Sequence, residues 1–174
     1  DLHSKERLSL MSGLRKAVDE DELVLFYQPK IALRGGTELY AEALVRWQHP
    51  TRGLLSPVEF IAFAEQTGYI RAITQWVMGH AISQCSAWRG DDLPMNVSIN
   101  LSARDLIDSE LPDKFESTVA HEDWVARWFS FEITESAIPA EPGQAPRNPQ
   151  RLPALGGMER SADSCPGRPH LACL

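Results

Sequence analysis

Three stretches of this 174-residue chain place charged and amide side chains at alternate positions of an otherwise apolar run. Within Thr37–Pro50, Leu39, Ala41, Ala43, Val45 and Trp47 share one parity, and Tyr40, Glu42, Leu44 and Arg46 share the other. A strand turns successive side chains to opposite faces, so the second face carries an acid and a base on either side of Leu44. One strand of this kind is equally an ordinary amphipathic strand at a sheet surface. The pattern recurs twice. Residues 95–102 alternate Val97, Ile99 and Leu101 with Asn96, Ser98, Asn100 and Ser102, and 128–136 alternate Phe129, Phe131 and Ile133 with Ser130, Glu132 and Thr134. Strands buried on both faces should be apolar on both. Three in succession with acids, amides and an arginine on one parity point to a shared polar site along one sheet face.

The elements that must position this site are legible in order. Residues 4–18 read as an amphipathic helix capped by Ser4, with Leu8, Met11, Leu14 and Val18 at helical spacing. The acidic run 19–22 leads into a first strand over 23–33, and Arg34-Gly35-Gly36 turns the chain into the Glu42 strand. Ser56-Pro57-Val58-Glu59 starts a helix: the serine caps, proline fits the first helical position and the glutamate completes a capping box. That helix should bury Phe60, Ile61 and Phe63 and stop near Gly68. A second runs from about Ile70 to Trp88 with Ile73, Val77 and Ala81 on one side, and a third starts near Pro112 and buries Phe115 and Val119. Strands alternating with helices make a parallel sheet with right-handed crossovers. After residue 137 the character changes. Residues 138–174 hold seven of twelve prolines and no Phe, Tyr, Trp, Val or Thr, and are expected to be disordered or irregular.

Apolar content of 43% is enough for one domain's core, while a net charge of −7 and a pI near 5.2 argue against a nucleic-acid polymer as partner. There is no membrane span or signal-peptide pattern. Cys85, Cys165 and Cys173 form no CxxC pair, and reduced thiols in a cytoplasmic setting are expected. The five histidines show no ligand spacing, and Trp47 and Trp76 are expected in the core. A chain that opens with Asp1 is expected to be a piece of something longer.

YQP at 27–29, EALVRW at 42–47, HP at 49–50, SPVEFI at 56–61, INLS at 99–102 and EITES at 132–136, in this order, resemble the EAL family. These are bacterial phosphodiesterases that linearise cyclic di-GMP to pGpG. The resemblance covers roughly residues 20–137. It implies an α/β fold, an incomplete TIM-like (β/α)8 barrel of EAL type with about four strands present, and a first strand antiparallel to its neighbours. The short 34–36 turn suits that arrangement, because it can join a hairpin but not a parallel pair. The expected divisions are a linker helix over 1–19, the N-terminal half of an EAL domain over 20–137 and an irregular tail over 138–174.

The resemblance also implies roles. Glu42, Asn100 and Glu132 match metal-ligand positions for Mg2+ or Mn2+ at the carboxyl ends of barrel strands. Gln28, Leu44 and Arg46 match positions that hold the dinucleotide, Arg46 on a phosphate, and Glu135 matches an acid that supports an active-site loop. Phosphodiester hydrolysis uses such cations to deprotonate water and to neutralise charge on phosphorane oxygens. Carboxylate and amide oxygens suit them. Two carboxylates about 4 Å apart repel by roughly 4 kcal/mol at an effective dielectric of about 20, so the pair needs a cation or a proton. A guanidinium clamps phosphate bidentately where lysine cannot.

The family pattern continues to a paired-aspartate DDFGTG motif, a lysine near the attacking water and another metal-binding glutamate. This chain has its one Asp-Asp pair at Asp91-Asp92, before the third strand, and no lysine after Lys114. Little or no turnover is therefore expected. A frame disruption near residue 138 would account for the tail's composition. The alternative is a catalytically dead module that binds cyclic di-GMP or a protein, with an upstream GGDEF or sensor domain in a longer parent, or a dimer in which a second chain completes the barrel.

Overall fold

The computed structural model describes residues 2–32, 38–119, 128–133, 157–160 and 171–173. The chain opens with helix α1 (Leu2–Asp19), followed by strands β1 (Leu23–Ala32), β2 (Leu39–His49) and β3 (Gly53–Leu55). Helices α2 (Pro57–Thr67) and α3 (Ile70–Gly90) lead to β4 (Met95–Leu101), the single-turn α4 (Ala103–Leu106), α5 (Leu111–Val119) and β5 (Phe129–Ile133). Short strands β6 (Gly157–Arg160) and β7 (Leu171–Cys173) follow.

One sheet runs β6-β5-β4-β2-β1-β7, with β3 folded back on β2. β1 and β2 are antiparallel, Gln28 opposite Glu42, whereas β2, β4, β5 and β6 are parallel neighbours. The antiparallel first strand is thus as expected, while the 34–36 turn itself lies outside the described residues. Several features depart from the sequence reading: Ser4, expected as a cap, lies within α1, and the one-turn α4 was not anticipated. β3 is a hairpin arm too short to carry a period. The stretch 138–174 contains β6 and β7, so it is not wholly irregular: β6 pairs with β5 and β7 with β1. Backbone ladders need no apolar period, which is why a segment such as GMER can pair without a strand-like composition.

Parity sorts the sheet's faces as anticipated. Ala41, Ala43 and Trp47 of β2, Val97, Ile99 and Leu101 of β4, and Phe129, Phe131 and Ile133 of β5 are buried. All of these but Ala41 meet Phe60 and Ala64 of α2, Ile73, Val77, Met78, Ala81 and Cys85 of α3, and Phe115 of α5 in one core. Phe115 stacks edge-on to Phe131, ring centroids 5.2 Å apart. α2 begins as its sequence dictates, the Glu59 carboxylate accepting from the Ser56 N–H at 2.7 Å, and ends on Gly68 in the left-handed region at φ +79°. Trp47 anchors the corner where α1 crosses: it is fully buried, donates to Glu22 at 3.0 Å and lies edge-on to Phe60. A Cβ at Gly13 would stand 3.1 Å from the Trp47 ring, so glycine permits that close approach. Covering one face with helices leaves the other for polar groups.

Candidate active site

The uncovered face collects the polar parity of four strands. Register sets Gln28 opposite Glu42, Glu42 beside Ser98, Ser98 beside Ser130, and Asn100 beside Glu132. Directly paired residues point the same way, so these side chains share one face without further assumption. Asn100 donates from Nδ2 to Glu42 Oε1 at 2.7 Å, joining β4 to β2. The three residues expected to hold a metal are therefore neighbours.

At their centre lies a residue that sequence reasoning did not single out. Lys30, from β1, donates to Glu132, pairs with Glu42 Oε2 at 3.2 Å and donates to Ser98 Oγ at 3.2 Å. An ammonium has three N–H donors, and all three are used. β1 and β5 are separated by β2 and β4, about 14 Å along a flat sheet at about 4.8 Å per strand. Their side chains meet because the sheet curls toward this face, as in a barrel wall. The cluster is well shielded, with side-chain exposure of 11% for Lys30, 16% for Glu42 and 10% for Glu132. Burial works to lower the Lys30 pKa. Glu132 and then Glu42 more than offset it, and the group stays protonated above the ordinary lysine range.

A second group lies along β1 and β2 on the same face. Leu44 is opposite Phe26 and Arg46 opposite Val24, with Gln28 next along β1. Phe26 is 51% exposed, and the Arg46 guanidinium stands 5.9 Å from its ring centroid while donating to the Val45 carbonyl at 2.9 Å. An exposed ring, an aliphatic side chain and a guanidinium side by side suit a planar base joined to a phosphate.

Glu42, Asn100, Glu132, Gln28, Leu44 and Arg46 thus all fall on one face, and Glu135 lies outside the described residues. Lys30 and Phe26 were missed. Strand parity would have put both on the polar face, but only the curl of the sheet brings Lys30 to Glu132. The metal expectation meets a specific obstacle. Carboxylate and amide oxygens suit a hard cation, yet the space between Glu42 and Glu132 is taken by the ammonium, and Asn100 turns its donor end to Glu42. Among the described residues no three His, Cys, Asp or Glu side chains converge as a metal shell. As arranged, these residues do not fit a bound metal.

Behind β4 a buried network holds the chain's exit from the site. Asp105 Oδ2 accepts from the Ser102 N–H at 2.9 Å, the Ser102 hydroxyl at 2.7 Å and the Thr74 hydroxyl at 2.9 Å. This ties α4 and the end of β4 to α3. Burial raises the Asp105 pKa, with Ser102 and Thr74 opposing.

Known proteins resemble this chain in sequence and fold. The EAL domain family profile matches residues 11–157. The cyclic di-GMP phosphodiesterase PdeR of Escherichia coli is 38% identical over 133 residues, covering 76% of this chain and 20% of PdeR. The bifunctional diguanylate cyclase/cyclic di-GMP phosphodiesterase MucR of Pseudomonas aeruginosa is 36% identical over 135 residues, covering 77% of this chain and 20% of MucR. This chain therefore spans about a fifth of the length of these relatives. A solved structure of the PaMucR phosphodiesterase in complex with c-di-GMP superposes with a TM-score of 0.76 at 32% identity, covering 86% of this chain and 62% of that one. The FimX EAL domain from Pseudomonas aeruginosa, bound to c-di-GMP, matches at a TM-score of 0.75 and 23% identity over 87% of this chain and 60% of that one, a likeness of fold. With its antiparallel first strand, its curled parallel sheet and Glu42 and Leu44 on the polar face, the chain belongs to the EAL domain family.

Proposed function

We propose that this chain carries the cyclic di-GMP-facing half of an EAL phosphodiesterase site and does not itself turn the dinucleotide over. The observation that supports this most is the closed Glu42–Lys30–Glu132 cluster, in which the protein's own ammonium sits between the carboxylates expected to hold Mg2+ or Mn2+ and offsets one of their two charges. The chain also has no DDFGTG segment to supply further ligands. The phosphodiester is stable in water, and aligning it without an activated hydroxide leaves most of the barrier in place. Chromatography of cyclic di-GMP incubated with the chain and Mg2+ or Mn2+ tests the reading. No pGpG is expected. Metal-dependent pGpG that disappears in Glu42→Ala would refute it.

A second reading, a receptor or interaction module, is favoured by the Phe26–Leu44–Arg46 surface, which offers contacts for a base and a phosphate without any metal. Calorimetry separates the two. Saturable binding of cyclic di-GMP that is lost in Arg46→Ala supports a receptor, and absence of heat supports an inert half-site. In either case an upstream GGDEF or sensor domain would provide the input. No helix among the described residues is long and apolar enough to cross a membrane, and we place the domain in the cytoplasm.

A further inference from the structure

We propose that Lys30 is a built-in counter-cation of this site, so that a divalent cation enters between Glu42 and Glu132 only by expelling the ammonium. The inference rests on the reading of those carboxylates as cation ligands and adds a residue that gates them.

Three observations carry it. The ammonium is saturated by Glu132, Glu42 and Ser98, one acceptor for each N–H, so it is placed rather than merely near. It is shielded with its partners, so the pairing is weakly screened by salt and competes with an incoming ion. It also arrives from β1, the antiparallel strand, and reaches over β2 and β4 to β5. Withdrawal along its own flexible stem would open the site without moving a strand. With lysine in place the two carboxylates leave one net negative charge; without it they leave two. A divalent ion entering beside a retained ammonium would meet a like charge a few ångströms away.

An ordinary structural ion pair would have the same geometry but a different consequence. Removing it would lower stability and leave metal affinity where it was. In the proposed arrangement the lost cation must be replaced, so affinity for a divalent ion rises.

The test is Mn2+ binding to the full chain, read by the loss of free-ion electron paramagnetic resonance signal, in the native protein and in Lys30→Met. The methionine keeps the length of the stem and removes the charge. Lys30→Met should bind Mn2+ at least about tenfold more tightly, the scale of one unit charge acting at a few ångströms under partial screening. Adding Glu42→Gln should abolish the gain, and Mn2+ should raise the melting temperature of Lys30→Met more than that of the native chain. If Lys30→Met does not fold, Lys30→Gln, which retains two N–H donors for the carboxylates, carries the same expectation. Equal affinity in native and variant chains would overturn the role of Lys30 while leaving the carboxylates a metal site. No binding to either would overturn it together with the metal assignment, independently of whether cyclic di-GMP binds at Arg46.

Discussion

Lys30 and Trp47 mark the limits of what single residues reveal. The position of Trp47 on the apolar parity of its strand foretells burial, and the side chain is fully enclosed between α1, α2 and the sheet. Trp47→Ala should cost about 3–5 kcal/mol, as large-to-small changes of aromatic core residues do, and urea denaturation followed by far-UV circular dichroism would measure it. A loss under about 1 kcal/mol would mean that α1 and α2 do not close over it. The thiol of Cys85 is similar. It is fully buried, it donates to the Met95 carbonyl at 3.3 Å, and burial pushes its pKa up to about 11. The thiolate is the reactive form. Iodoacetamide at neutral pH should therefore leave Cys85 unmodified in the native chain and alkylate it in urea, as peptide mass spectrometry would show. Lys30 lay beyond reach for a physical reason. Its parity is local, whereas its partnership with Glu132 depends on curvature accumulated over four strands.

Elements with a strong period or a specific cap were readable, and those held by tertiary contacts were not. α2 and α3 follow from Ser56-Pro57-Val58-Glu59, Gly68 and the Ile73–Val77–Ala81 stripe. α4 is one turn long and owes its place to Ser102, Asp105 and Thr74, two of them outside the helix. Asp105→Ala would leave the Ser102 N–H and the buried Thr74 hydroxyl without their acceptor, and should destabilise by about 1–3 kcal/mol. The charge of Asp105 has a separate, pH-dependent effect. Its carboxyl is held above its ordinary value, so the folded state binds the proton more readily than the unfolded state. That contribution to stability is complete below the unfolded pKa of about 3.9 and is lost as pH rises through the folded one. The native chain should thus gain stability relative to Asp105→Asn as pH falls from 7 toward 4.5, by urea midpoints at both values. A constant difference would show that the proton is bound equally in both states. β6 and β7 had no sequence signal because backbone ladders impose no apolar period on a short strand.

At the scale of the molecule, the described sheet has two ends, β6 and β7, and its polar face is concave without a closing wall among the described residues. Family and face were legible because ordered motifs and strand parity are properties of sequence. Placing Phe26 beside Arg46, or an ammonium between two acids, took the registers of several strands together. A sheet with unpaired ends is a template for association. Sedimentation velocity should accordingly show mass rising with concentration, and a strictly monomeric chain with a cooperative melt would point to a self-sufficient module instead. The central claim is that this chain holds an EAL site that cannot hydrolyse its dinucleotide. Single-turnover chromatography, with the chain in excess over cyclic di-GMP and Mn2+ present, tests it most directly. The account predicts that the cyclic dinucleotide persists unchanged for hours in native chain and Glu42→Ala alike. Conversion to pGpG by the native chain but not by Glu42→Ala would contradict it.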